Sequence, residues 1–358
     1  MTELPFETWV YEEQTKNKHK VFEDYFDKWV KIIGKNNPFN YIDGFGGCGA
    51  YKDKEGIHYG SPILAAMIIQ KSQKKNCSII VIDTKKKHIE NIKKIKEYVG
   101  IDCKMQFAEG DFDSVINGVL DKHSKMAPTF FFIDPFGFSG IRYSTLKKIM
   151  ERYQMEILLT FMFEGITRFL SLPQNEEILD GLFGTTEWKS LIGLHGNEKE
   201  DKMINLYKQQ LKKITKFVFP YRIEFPSSKR TYYYLFHLTG YHKGAVIMKS
   251  SFAKFNLGRV AYVGSRANQL TLFDIENVKI ETVEEFLLNK YPNERKKYLE
   301  LIEENIDEVP YLESDFYKAL KELEKEKKIK IVRDPPFTPV RKSPRESIQE
   351  QDTIIFIN

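Results

Sequence analysis

The chain has 358 residues, 42% of them hydrophobic, with 27 Phe and 19 Tyr, a composition that excludes a mostly disordered protein and predicts one large domain with a smaller appendage. No apolar run approaches the ~18 residues of a membrane span, and the N-terminus lacks the pattern of a signal peptide, so we expect a cytoplasmic protein without membrane contact. Residues 281–358 hold 14 basic and 18 acidic side chains, which leaves 41 and 32 for the first 280, a net charge of +9 that favours attraction of a polyanion or forms an ordinary solvated surface.

The first 163 residues predict an α/β fold. Residues 15–33 space apolar side chains three and four apart, as an amphipathic helix does. Strand and helix patterns then alternate, which predicts a doubly wound, mostly parallel sheet. The predicted strands are residues 39–42, 77–83, 103–109, 129–134 and 156–163, and the predicted helices between them are residues 63–70, 85–99, 114–122 and 144–153. Ser61 and Pro62 are predicted as the N-cap and first turn of the helix at 63–70.

The rest of the chain predicts an insertion and a second domain. Residues 164–216 read as a helical insertion that covers the carboxyl edge of the sheet. The predicted elements that follow are strands at 217–225 and 231–239, a helix at 244–255, helices at 283–290, 295–305 and 314–328, and strands at 330–333 and 353–357. Three helices followed by a hairpin are typical of a winged helix. We therefore predict domains at 1–268 and 269–358; the acidic balance of the second makes partner or substrate positioning an equal alternative to duplex binding.

A glycine-rich loop follows the first strand of the predicted sheet. Residues 41–50 read Y-I-D-G-F-G-G-C-G-A. Gly46, Gly47 and Gly49 lack the Cβ atoms that hold a ligand away from the backbone, and glycine adopts the positive-φ turns that such a loop needs. The loop predicts a nucleotide site; a tight turn without a ligand is the alternative.

Acidic residues stand at four successive strand ends: Asp43, Asp83, Asp111 and Asp134. Ligands of open α/β sheets bind at the carboxyl ends of strands, so these acids predict a lined cleft, with four unrelated helix caps as the alternative. A carboxylate at Asp43 disfavours a pyrophosphate and favours a cationic nucleoside, S-adenosylmethionine. Asp83 is then expected to accept hydrogen bonds from the ribose, and Asp111 with Phe112 to contact the adenine.

These residues resemble class I S-adenosylmethionine-dependent methyltransferases. The pattern D-x-F-x-G-x-G comprises Asp43, Phe45, Gly47 and Gly49, with Gly44 between the first two, and D-P-F stands at 134–136. The chain more closely resembles the three-Cys-motif partner protein family, TcmP. The motifs that carry this resemblance are Lys18-His19, residues 41–51, G-S-P at 60–62, F-I-D-P-F-G at 132–137, and residues 234–248. The resemblance implies a methyltransferase-like fold and a partner protein with a three-cysteine radical-type motif.

Cysteine and histidine patterns predict no metal site. Cys48, Cys77 and Cys103 lack the spacing of a zinc knuckle and are not the three-cysteine motif of the partner. The seven histidines lack metal-ligand spacing as well. We expect reduced, unliganded thiols.

Two departures from the amino-methyltransferase pattern stand out. Phe136 replaces the second proline of D-P-P, whereas a literal D-P-P-F at 334–337 lies in the predicted wing. The 40 residues between Asp43 and Asp83 exceed the usual separation of about 20. The extra segment at 51–59 is predicted as a lid, a substrate loop or an exposed insertion.

The predicted function is methylation of a nucleic-acid base, DNA or RNA, with a noncatalytic binding module as the alternative. Asp134 is expected to orient or deprotonate the acceptor, while Phe136 or Phe138 stacks on the base or merely covers the sheet. The remaining candidates are His19 and Arg168 at the cleft, and Lys229, Arg230 and the loop at 341–345 as phosphate contacts.

Overall fold

The computed structural model describes residues 4–35, 37–74, 76–225, 228, 230–255, 282–309, 311–336 and 345–357. The chain divides into two compact units, Met1–Val263 and Gly264–Asn358. Lys229, Phe337 and Arg341, which sequence analysis singled out, lie outside the described residues.

The first unit is built on a seven-stranded sheet. Its strands are β2 (Phe39–Asp43), β5 (Cys77–Asp83), β6 (Met105–Glu109), β7 (Thr129–Ile133), β8 (Met155–Phe161), β9 (Phe217–Glu224) and β10 (Thr231–Thr239). Their order is β6-β5-β2-β7-β8-β10-β9, in which β10 runs antiparallel to both neighbours and the pairs from β6 to β8 are parallel. Numbered along the chain, the order of these seven strands is 3-2-1-4-5-7-6. The predicted α/β fold is confirmed.

Helices and a small second sheet surround the large sheet. The helices are α1 (Glu13–Ile33), α2 (Ser61–Lys71), α3 (Lys86–Val99), α4 (Phe112–Lys122), α5 (Tyr143–Met150), α6 (Phe163–Phe169), α7 (Glu176–Phe183), α8 (Gly196–Lys212) and α9 (His242–Lys254). Every residue of β7 and β8 is buried, as expected for strands with both faces covered. The apolar runs of β7 and β8 therefore predicted both where these strands lie in the sequence and that they belong to the core.

The segment after the glycine loop is an ordered hairpin. Strands β3 (Ala50–Asp53) and β4 (Gly56–Tyr59) pair antiparallel, and β1 (Trp9–Val10) adds to β3 in parallel. The prediction of Ser61 as an N-cap is wrong, because the N-cap is Gly60 and Ser61 already belongs to α2. The hairpin was missed because its strands have four residues each and mix polar with apolar side chains.

The second unit is a winged helix. It comprises α10 (Val283–Lys290), β11 (Arg295–Lys297), α11 (Tyr298–Asn305), α12 (Glu313–Lys325), β12 (Ile329–Val332) and β13 (Thr353–Phe356). The three strands form one antiparallel sheet in the order β11-β13-β12. The winged-helix prediction is confirmed, but β11 occupies residues that were predicted as the start of a helix.

None of the described helices is long and apolar enough to cross a membrane.

Candidate active site

The glycine loop after β2 packs directly on its neighbours. A Cβ at Gly46 would lie 2.6 Å from Val81 Cγ1, and one at Gly49 would lie 2.7 Å from Ile92 Cγ1. Gly47 and Gly49 also have φ angles of +59° and +79°, in the left-handed region that favours glycine. Glycine is therefore required here for packing against β5 and α3, as well as for any approach of a ligand.

Asp43 is buried at the end of β2. It accepts hydrogen bonds from the Tyr41 hydroxyl at 2.7 Å and from the Phe45 backbone N–H at 3.3 Å. Burial raises the pKa of its carboxyl to about 6, although hydrogen bonds from Ser61 and Tyr41 oppose the shift. Asp43 does not line the cavity described below. Its contact with the loop is the hydrogen bond from the Phe45 backbone N–H.

Asp83 is engaged by three donors within the protein. Its carboxylate accepts the Gly47 and Lys85 backbone N–H groups, each at 2.8 Å, and lies 3.1 Å from His88 Nδ1. The Trp9 ring lies against both Gly47 and His88, 3.3 Å from the Cβ position of the first and 5.3 Å from the ring of the second. Asp83 thus ties the glycine loop to the start of α3, beneath a tryptophan that sequence analysis did not select.

Asp111 and Phe112 lie at the start of α4. Asp111 is the N-cap, exposed, and accepts the Ser114 backbone N–H at 2.9 Å. Phe112 is buried, with its ring stacked on Phe45 at 5.8 Å between centroids. A Cβ at Gly44 would lie 2.7 Å from the Phe112 ring, so this glycine makes room for it.

A cavity of about 230 Å³ opens beside the glycine loop. Its lining combines loop backbone, aromatic rings and charged side chains. These include Gly46, Gly47, Phe45, Trp9, Tyr51, Ser61, Lys18, Asp134, Pro135, Phe136, Met162, Tyr232 and Tyr233. The cavity therefore joins the loop to the D-P-F segment after β7, but of the four strand-end acids it contains Asp134 alone.

Lys18 is the charged partner of Asp134. Lys18 is buried on α1 and forms an ion pair with the Asp134 carboxylate, and its Nζ lies 5.3 Å from the centre of the Tyr233 ring. The Tyr233 hydroxyl donates to the Gln14 carbonyl at 2.7 Å and so fixes that ring. Sequence analysis used Lys18 only as a resemblance motif. Its position four residues before Phe22, on the apolar face of the helix, was the available signal of a buried cation.

Phe136 and Phe138 have different surroundings. Phe136 is 69% exposed at the cavity and meets the Trp9 ring edge-on at 5.2 Å. Phe138 instead packs against the core and the Phe169 ring, at 5.9 Å, and does not line the cavity. His19 does not line it either: it is buried beside Tyr11, and burial lowers its pKa to about 3.

A second cavity, of about 460 Å³, is lined by several residues that are adjacent in sequence to residues of the first. Phe163 and Thr231 line it, and the adjacent residues Met162 and Tyr232 line the first cavity. Arg168 and Arg230 both contact Glu164 in it, at 3.2 and 2.8 Å. The two guanidinium groups are therefore held side by side near the candidate site.

Two carboxylates and one histidine lie close together on the hairpin. Ligand atoms of Asp53, Glu55 and His58 lie within 4.8 Å of one another. Asp53 already forms an ion pair with Lys16 at 2.6 Å and contacts His58 at 3.0 Å. Because Lys16 supplies the positive charge, we assign no metal to this group.

Residues 264–336 match the family described as the GMT-like wHTH domain. No sequence of a curated protein matches the chain. Similar solved structures include protein LPL1258 from Legionella pneumophila str. Philadelphia 1, with 11% identity, a TM-score of 0.44, and coverage of 68% of this chain and 93% of that one. The bifunctional kinase-methyltransferase WbdD has 12% identity and a TM-score of 0.37, and the match covers 67% of this chain and 44% of that one. The N-terminal domain of EvdMO1 with SAH bound has 9% identity and a TM-score of 0.26, with coverage of 38% of this chain and 48% of that one.

These structural likenesses are distant. The chain has an α/β fold with a seven-stranded, mostly parallel, methyltransferase-like sheet, and its C-terminal domain is a winged helix.

Proposed function

We propose that this protein is an S-adenosylmethionine-dependent methyltransferase that acts on a nucleic-acid base. The observation that supports this most is the first cavity, in which the glycine loop, the Asp134 carboxylate and several aromatic rings meet. A sulfonium cation is stabilised by carboxylates and aromatic faces, and a planar base by stacking on such rings.

The residues present fit the cofactor. Gly46 and Gly47 offer close backbone approach, and Phe45 offers a ring face. The three donors on Asp83 leave one of its roughly four acceptor positions for a ribose hydroxyl. When bound, S-adenosylmethionine supplies the methyl group as an electrophile.

Asp134 would bind and deprotonate the acceptor amine, and Lys18 would orient Asp134. The Asp134 carboxylate accepts a hydrogen bond from the amine N–H, which points the nitrogen lone pair at the methyl carbon, and it takes up the proton released on transfer. Lys18 holds this carboxylate in one orientation through their ion pair. Phe136, exposed at the cavity, stacks on the base after it leaves its duplex or strand.

The second cavity supports a nucleic-acid substrate. Its lining includes four cationic side chains, Arg168, Lys199, Arg222 and Arg230, against the two carboxylates Glu164 and Glu200. The second cavity thus has an excess of positive charge, and its lining residues Phe163 and Thr231 are adjacent in sequence to lining residues of the first cavity. Such a cavity suits the phosphate groups that flank a target base. The winged helix gives a further candidate contact with nucleic acid. The TcmP resemblance adds a partner protein with a three-cysteine motif to the proposal.

A noncatalytic binding module is the second candidate. It is favoured by Asp83, whose carboxylate is already hydrogen-bonded within the protein, and by Trp9, which lies against the glycine loop. A module of this kind would use the same cationic cavity to hold nucleic acid without transferring a methyl group.

Titration calorimetry with S-adenosylmethionine, followed by a labelled-methyl assay on DNA, RNA and protein, separates the two candidates. We expect the wild-type chain to bind the cofactor and to label nucleic acid. Asp134→Asn is expected to retain cofactor binding but to lose at least about a hundredfold in labelling. Ile178→Ala, at an exposed position on α7, is the control and should match wild type. Absence of cofactor binding to the wild-type chain would contradict the enzyme proposal and leave the binding module.

A further inference from the structure

We propose that the first unit has a second small-molecule site, which takes a small aromatic amine carrying a hydrogen-bond acceptor. This site is a cavity of about 210 Å³ between α1, the start of β8 and the start of α9. Because β8 begins there at Met155, the cavity lies at the amino ends of the parallel strands. The glycine loop follows the carboxyl end of β2, so the two sites occupy opposite edges of the sheet. The inference therefore does not depend on the proposed methyl transfer.

The walls of this cavity are mostly apolar. Trp29 and Ile33 come from α1, and Tyr241 and Ile247 come from the region of α9. At about 30 Å³ for each water, the volume equals about seven water molecules, which suits one aromatic ring with a short side chain. Aromatic and branched aliphatic walls of this kind favour a flat apolar ligand.

One carboxylate, that of Glu156, lies in these apolar surroundings. Glu156 is 4% exposed; its Oε2 accepts a hydrogen bond from the Tyr25 hydroxyl and lies 3.2 Å from His237 Nε2. Within the described residues His237 Nδ1 has no partner, so Nε2 is the ring nitrogen that donates to Glu156. Among these residues no lysine or arginine forms an ion pair with Glu156. The exposed Lys243 also lines the cavity, but the buried Glu156 carboxylate is the group that would bind an ammonium ligand inside it.

Gly244, in the first turn of α9, leaves room for the Glu156 carboxylate. A Cβ at this position would lie 3.1 Å from both carboxylate oxygens. A side chain here would therefore press on the carboxylate, whereas glycine leaves its oxygens unhindered. The first turn of a helix also attracts negatively charged groups, so the start of α9 is a favourable neighbour for this side chain.

Trp29 supplies a second, independent indication of a ligand. This residue is 4% exposed, lines the cavity, and its indole Nε1 has no hydrogen-bond partner in the described part of the chain. Buried indole N–H groups usually find an acceptor. A ligand with a hydroxyl or carbonyl oxygen would supply that acceptor, while its ammonium group contacts Glu156.

Three probes that share one ring but differ in charge test this proposal on the full chain. Tyramine carries an ammonium group, 2-(4-hydroxyphenyl)ethanol is neutral, and 3-(4-hydroxyphenyl)propionate is an anion. Calorimetry should show tyramine binding about tenfold or more tightly than the neutral probe, because a hydrogen bond to a charged partner contributes that much. The anion should bind least. Absence of tyramine binding at millimolar concentration, or equal affinities for the three probes, would overturn the proposal.

Variants locate the binding. Glu156→Gln should remove the preference for tyramine over the neutral probe, and Ile247→Trp should abolish binding of both by filling the cavity. Trp29→Phe should weaken tyramine but not phenethylamine, which lacks the phenol oxygen. Ile178→Trp, outside the cavity, is the matched control. A thermal melt checks the folding of each variant, and the order of the probes on the wild-type chain remains decisive if a variant unfolds. Tyramine affinity unchanged by both Glu156→Gln and Ile247→Trp would contradict the assignment.

Discussion

Replacing Asp43 with asparagine should change how stability depends on pH. The carboxyl of Asp43 is buried at the end of β2, and its pKa is raised from 3.8 to about 6. In the unfolded chain the carboxyl recovers the ordinary value, so between about pH 4 and pH 6 the folded state binds more protons than the unfolded one. Stability that is present below pH 4 is therefore lost as the pH rises through 6.

The magnitude follows from the difference between the two pKa values. At about 1.4 kcal/mol for each pKa unit, ionisation of Asp43 costs about 3 kcal/mol at neutral pH. Asparagine resembles the protonated acid in shape and does not titrate. The stability of Asp43→Asn minus that of wild type should thus be small near pH 4 and rise by about 3 kcal/mol by pH 7.

Urea unfolding followed by tryptophan fluorescence measures this difference. Trp9, Trp29 and Trp188 all lie within Met1–Val263, so the signal reports the unfolding of that unit. Asp111→Asn is the control of opposite sign, because hydrogen bonds from Ser114 lower the pKa of Asp111 and its stabilising effect is lost at low pH. A difference for Asp43→Asn that stays flat between pH 4 and pH 7, or falls, would refute the reasoning.

Three other substitutions test the loop, the site and the winged helix. Gly49→Ala should destabilise the first unit by about 2 kcal/mol or more, since φ is +79° and a Cβ would lie 2.7 Å from Ile92. The control is Gly118→Ala, at an exposed position on α4 where a Cβ would meet no atom within 4 Å. In the same urea assay this control should stabilise the unit by up to about 1 kcal/mol. Lys18→Met should slow single-turnover methyl transfer about tenfold or more while changing cofactor affinity much less, because it frees Asp134 to turn; an unchanged rate would contradict the role of Lys18. Asp352→Ala should destabilise the winged helix by about 3–5 kcal/mol, because it leaves the buried Arg345 guanidinium unpaired. Hydrogen exchange should then rise in α11 and α12 but not in α1, and uniform exchange across both units would argue against a local effect.

The sequence predicted the fold better than it predicted the site, for a physical reason. Continuous apolar runs such as those of β7 and β8 require burial on both faces, so strand position and core follow from local composition. The hairpin β3–β4 is held by pairing with β1, a contact between segments about 40 residues apart that no local pattern encodes. Sequence separation likewise conceals the contact of Trp9 with the glycine loop, and that of Lys18 with Asp134, which are 116 residues apart.

The four strand-end acids look equivalent in the sequence, but they differ in their burial and in the groups that donate hydrogen bonds to them. Asp43 is held from below by Tyr41 and the loop backbone, Asp83 is held by three donors, and Asp111 caps α4. Each of these carboxylates already accepts hydrogen bonds that shape the loop or a helix start. Asp134 is different, because the side chain of Lys18 holds it and both residues line the cavity. A carboxylate held by one side chain can accept a further hydrogen bond from a ligand without loss of backbone structure. For this reason we expect substitution of Asp134 to affect chemistry first, and substitution of Asp43 or Asp83 to affect the loop first.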